Sequence, residues 1–147
     1  MKKRLIAAAS AFGAILGLSS PAFADEQWTS GDSTIVYEID DGDMAVFSVD
    51  GMRLYIDGLA GVTENRGSYH GIWMLDEAPV VDAGGDPVDG CGFSMLRPDD
   101  SGEVSEYWGQ VEITFIDAEF PSVWIGYFGD CFDGASETMI ARPLVGQ

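Results

Sequence analysis

The chain has 147 residues, 25 Asp and Glu against seven Lys and Arg, and a formal net charge of −18 at pH 7. Such a field excludes nucleic acids and anionic lipid surfaces as partners, because those are held by Lys and Arg that displace their counterions. The length, and the lack of an internal repeat or low-complexity tract, fit one domain with a single core.

The chain opens on a positive cluster, Met1-Lys2-Lys3-Arg4, followed by an apolar stretch from Leu5 to about Leu18 and the small-residue site Ala22-Phe23-Ala24. That order is the n-region, h-region and cleavage site of a secretory signal peptide. The apolar run is about 14 residues, short of the roughly 20 that a membrane-spanning helix needs. No Cys follows it, so the common lipoprotein processing site is missing. Cleavage after Ala24 is expected to remove residues 1–24. It would release residues 25–147 as a single periplasmic or secreted β-domain without a membrane anchor. The removed segment carries both Lys residues, leaving Arg53, Arg66, Arg97 and Arg142 against 25 acids and a formal charge of −21.

Residues 25–32 read as a loose lead, with Trp28 placed to tuck onto the core. After it, short apolar runs alternate with turn chemistry. Residues 34–39 put Ile35, Tyr37 and Ile39 on one face. Residues 44–49 form a second run, and Asp50-Gly51 is a two-residue hairpin signal. In 52–57, Met52, Leu54 and Ile56 alternate with Arg53, Tyr55 and Asp57, the period of a half-buried strand. Residues 68–75 make another strand, and 76–90 a long acidic loop that is either functional or mobile. Strands are then expected at 91–96, within 103–116 and at 122–128. Residues 136–142 read as a last strand, with one helical turn as the alternative. The whole predicts an all-β fold, a small antiparallel β-barrel or β-sandwich of about seven to nine short strands.

In an oxidising compartment the even pair Cys91 and Cys131 reads as one disulfide. It would close a loop of about 41 residues, worth at most roughly 4 kcal/mol in the chain-entropy picture. Two Cys and one distant His do not make a zinc set.

Nucleophilic catalysis needs a base beside the nucleophile, and the single His, His70, sits on a strand face with Ser68, Ile72 and Met74. G-x-S-x-G, H-E-x-x-H, Gly-rich phosphate loops and C-x-x-C are absent. A carboxylate-based hydrolase needs two placed carboxylates, and among 25 acids a pair in sequence identifies nothing. Calcium takes several oxygen ligands from flexible loops. Asp82, Asp86 and Asp89 are the best candidate set, ahead of Asp40, Asp41 and Asp43 and of Asp130 and Asp133. None fits the EF-hand pattern, and no other cofactor is expected. Most aromatics should be core. Tyr107, Trp108, Trp124 and Tyr127 are the rings expected to reach a binding surface, where aromatic anchors concentrate.

Gly67-Ser68-Tyr69-His70-Gly71-Ile72-Trp73 resembles the G-x-W segment of small calycin-type barrels over about seven residues. In architecture, an acidic periplasmic barrel with one disulfide is similar to bacterial lysozyme inhibitors. The inhibitors' signature segments have no counterpart here, so no functional residue is carried over and no family is assigned. The leading expectation is a non-enzymatic binding protein that binds or inhibits a basic protein, such as a lysozyme-like enzyme. A small-ligand or calcium-binding barrel is the second reading, and a carboxylate hydrolase the third.

Overall fold

The structure, a computed structural model, describes residues 26–61, 66–78, 81, 85, 89–117 and 121–144. The expected signal peptide, Asp82 and Asp86 lie outside the described residues. Ten strands form among those described: β1 (Gln27–Ser30), β2 (Ser33–Asp41), β3 (Met44–Val49), β4 (Met52–Ile56), β5 (Gly67–Leu75), β6 (Met95–Leu96), β7 (Val104–Ser105), β8 (Trp108–Phe115), β9 (Trp124–Asp130) and β10 (Glu137–Pro143).

Eight of these strands close an antiparallel barrel in the order β1-β10-β9-β8-β5-β4-β3-β2. Each barrel strand thus pairs with its neighbour in the chain, and β1 returns to β10 through Trp28↔Pro143 and Thr29↔Arg142. Closure through β1 pairs the edge of β2 over Ser33–Val36 and that of β10 at Arg142 and Pro143, which covers the part of the sheet edge that would otherwise be open there. The β6–β7 hairpin is a separate two-stranded sheet inserted between β5 and β8.

The turn chemistry accounts for the hairpins. Asp50 and Gly51 both take positive φ, 48° and 78°, as a tight two-residue turn between right-twisted strands demands. Three expectations need correction. Residues 27–30 are a strand rather than a loose lead: β1 closes the barrel, and Trp28 is 2% exposed with its indole N–H donated to the Ser122 carbonyl at 2.8 Å. The 91–96 run is strand only at Met95–Leu96, whereas the ribbon expected within 103–116 is β8, with Val111, Ile113 and Phe115 buried, preceded by the short β7. Ile39 does not share a face with Ile35 and Tyr37. The β2–β3 register slips between Tyr37 and Ile39, so Ile39 opposes Val46 instead of continuing the inward row. Such a bulge re-aims one side chain by adding a residue to one strand, and Ile39 ends 60% exposed.

The barrel interior is filled from its strands by a cluster that includes Trp28, Ile35, Phe47, Leu54, Ile56, Ile113, Phe115, Trp124 and Phe128. Phe47 makes edge-to-face contacts with Trp28, Tyr37 and Trp124 at centroid distances of 5.8, 4.9 and 5.9 Å. Each such pair adds about 0.5–1.5 kcal/mol beyond the area it buries.

One glycine is required by this packing. Trp73 on β5 faces Gly109 on β8, and its indole crosses that residue to donate to the Gly129 carbonyl on β9 at 3.0 Å. A Cβ at residue 109 would lie 1.9 Å from the Gly129 oxygen and 2.4 Å from Trp73 Nε1. Gly109→Ala is therefore expected to cost about 3 kcal/mol, the upper range of overpacking. Urea unfolding measures it, and a loss under about 1 kcal/mol would show that the strands shift to make room.

A second apolar cluster lies on the outside of the wall: Met44, Val46, Tyr55, Met74 and Trp108, with Ile72, Cys91, Met95 and Cys131 against it. Residues 89–107 cross this outer face as a strap carrying β6 and β7. The disulfide Cys91–Cys131, with sulfurs 2.04 Å and Cα atoms 5.5 Å apart, ties the strap to the turn after β9.

Candidate functional site

The strap is held at its middle by a buried cation. Arg97 is only 5% exposed. Its guanidinium donates to the Leu75 carbonyl at 2.8 Å, to the Tyr55 hydroxyl at 3.2 Å and to Asp76 at 3.3 Å. Its Nε lies 3.2 Å from Glu103 but without hydrogen-bond alignment, so that contact is one of charge. A planar fork with several donors is what such a divided set of acceptors requires. Arg53, projecting outward from β4, reaches the same group from the solvent side, 3.0 Å from Asp76 and 3.8 Å from Asp99. Tyr55 donates to Asp99 at 2.8 Å.

This anchor sets the ionisation of Asp99. Burial pushes its carboxyl up, but hydrogen bonds from Ser101 and Tyr55 and the charge of Arg97 outweigh burial and hold it below its ordinary value. A depressed carboxylate stabilises the fold above its unfolded pKa, near 3.9, and that contribution is lost as pH falls through the lower folded value. The strap anchor should therefore be intact at pH 5 and above and weaken below about pH 4. Asp99→Asn should flatten this part of the acid limb, read from urea midpoints at pH 7 and pH 3. An acid limb as steep as that of the wild type would sink the assignment.

Between the strap and the bulged end of β2 lies a cleft of about 550 Å³. Ile39 and Val46 provide its apolar part. Glu38, Asp40 and Asp41 line it from β2, Asp99 and Ser101 from the strap, and Arg53 from β4. The rim carboxylates are partly engaged: Glu38 accepts from Ser48 and Asp40 from Tyr37. Burial and Asp40 push the Tyr37 hydroxyl well up, so it stays a donor. Glu26 is also raised, by burial first and by Asp40 second. Along β2 the cleft thus offers three carboxylates beside an exposed isoleucine, with Arg53 occupied by Asp76 and Asp99 on the far side, and that β2 side suits a long cationic side chain with an apolar stem.

A second feature sits at the disulfide end of the strap. Phe93 and Phe132 stack at 5.5 Å with planes 26° apart, and both rest edge-on against Trp108, at 5.2 and 5.0 Å. Phe132 is 68% exposed and Phe93 44%, while Trp108 beneath them is buried.

The rings expected at a surface are divided by the barrel wall. Trp124 lies wholly inside the barrel, Trp108 under the strap, Tyr107 is half-buried, and Tyr127 is exposed on β9. Asp89 is exposed beside the disulfide, while its proposed calcium partners lie outside the described residues. Among the described residues no group of three or more His, Cys, Asp or Glu is placed to hold a metal ion. His70 is exposed, 3.9 Å from Glu112. Ile39, Phe93 and Phe132 were not among the expected site residues. Phe93 and Phe132 follow the two Cys within two positions, inside Gly- and Asp-containing turns, and that spacing is the one signal in the sequence that points to them.

No family model, curated protein or solved structure matches the chain.

Proposed function

We propose that this chain is an exported, non-enzymatic binding domain that docks a basic protein, such as a lysozyme-like enzyme, on the outer wall of its barrel. The observation that carries the reading is the cleft beside β2, where Glu38, Asp40 and Asp41 flank the exposed Ile39 and outnumber the one cation among the described lining residues, Arg53, which faces Asp99. Its rim matches a Lys or Arg side chain in charge and its floor matches the aliphatic stem. The field of a chain with 25 acids and, after residue 4, only four basic residues draws such a partner in and repels anionic ones. The aromatic filling of the barrel supports a surface site over a ligand held inside it. Export through residues 1–24, with cleavage after Ala24, places the domain in the periplasm or outside the cell and removes both Lys residues.

The test is calorimetric titration of the oxidised mature domain with basic lysozymes at low salt, alongside lytic assays. Neutralising the rim by Glu38→Gln with Asp41→Asn is expected to weaken binding about tenfold, or 1.4 kcal/mol. Unchanged affinity in that variant would remove the cleft from the interface.

A further inference from the structure

We infer that the stacked Phe93–Phe132 pair is a preorganised anchor that enters an apolar recess on the basic partner. This rests on the proposed reading and adds a second contact, at the disulfide end of the strap rather than at the cleft.

Three observations carry it. The first is exposure against order. Large aromatic rings on a monomer's surface are ordinarily tucked down, yet these two stand 44% and 68% exposed. They are held all the same, stacked on each other and seated on the buried Trp108 ring. The second is the covalent tie. Phe93 lies two residues after Cys91 and Phe132 one after Cys131, so the disulfide joins the two segments that carry the rings. Cys131 itself takes a φ of 52°, a left-handed conformation that a non-glycine residue adopts at a cost. Side chains fixed before docking lose little entropy on docking, which is how a few aromatic residues come to dominate an interface.

The third observation selects the occupant. Asp89, Asp130 and Asp133 are exposed within two residues of a cysteine, and the exposed Glu106 is brought beside them by its carbonyl, which accepts from the Cys91 N–H at 2.8 Å. The nearest basic residue in the chain, Arg97, is buried in the strap anchor and leaves this collar acidic. An apolar knob with an acidic collar fits a recess rimmed by Lys or Arg. The same collar, on a chain of formal charge −18, repels a second copy and an anionic membrane.

The experiment titrates a basic c-type lysozyme into the oxidised wild type, the double variant Phe93→Ser with Phe132→Ser, and the control Tyr127→Ser. Thermal melting confirms that each variant is folded. The double variant should bind about 30-fold more weakly, the loss typical of truncated aromatic anchors. That loss should be the same at low and high salt, because no charge has changed, and Tyr127→Ser should bind as the wild type does. Binding by the double variant within threefold of the wild type overturns the anchor while leaving the basic-protein reading in place. Failure of the wild type to bind overturns both. A wild-type dimer seen by sedimentation, or adsorption to zwitterionic phosphatidylcholine vesicles, that the double variant abolishes assigns the pair to another occupant and overturns the inference.

Discussion

Replacing Cys91 and Cys131 together by serine is expected to lower the unfolding free energy by about 4 kcal/mol and the melting midpoint by about 15 °C. The two cysteines stand 40 positions apart, so cutting the bridge returns the closure entropy of a loop of about that length to the unfolded chain. A native-state effect accompanies it. The bridge ties the strap to the turn after β9, and the Phe93–Phe132 stack spans the same two segments. The variant should stay folded, because the barrel closes through β1 and β10 without help from the strap. Its near-ultraviolet circular dichroism should change as Trp108 loses ring partners. Scanning calorimetry of the oxidised, reduced and doubly substituted proteins measures the stability term. A loss under 1 kcal/mol would mean that the strap is held almost entirely by its other contacts.

Arg97→Met is expected to cost about 3 kcal/mol, near the low end for removing one partner from a buried charge set. The Leu75 carbonyl and the Tyr55 hydroxyl lose a donor, and Asp76 and Glu103 lose a charge partner. Both carboxylates have access to water, with side chains 37% and 70% exposed, which keeps the cost from being higher. Arg97→Lys should recover only part of the stability, since one ammonium cannot serve acceptors spread across a guanidinium fork. Urea unfolding reads the global term, and limited proteolysis near residues 97–103 reads release of the strap. Equal stability in the Arg and Met forms would show that the network is neutral relative to apolar packing, as some buried ion pairs are. Arg97 and the disulfide pin one strap, so their combined loss should deviate from additivity by at least about 0.5 kcal/mol.

Much of the barrel was legible as alternation. The inward row of β4, Met52, Leu54 and Ile56, was readable because period two survives wherever one face is buried. The Asp50-Gly51 hairpin was readable because positive φ at two successive residues restricts which residues a turn accepts. β1 was missed because four residues carry too short a pattern, and its strand state is set by pairing with β2 and β10. The bulge in β2 was missed because Ile35, Tyr37 and Ile39 alternate without interruption; only the register with β3 reveals the slip.

The site was less legible for a physical reason. Strands β3, β4, β5 and β8 are apolar on two faces at their strap-covered ends, and alternation cannot say which of two buried faces is the barrel interior. Trp108 and Trp124 therefore looked alike in sequence, although one lies outside the wall under the strap and the other inside it. Arg97 resembled any loop arginine, and its burial depends on Tyr55, Leu75, Asp76 and Glu103 converging from separate segments.

The most direct measurement of the central claim is calorimetric titration of the oxidised domain with basic lysozymes at ionic strengths of about 0.02 M and 0.5 M, which span strong and weak screening. Docking of a basic protein on this acidic wall predicts saturable binding at the lower ionic strength, at least tenfold weaker at the higher. No heat of binding at low salt, with every lysozyme fully active, would contradict it.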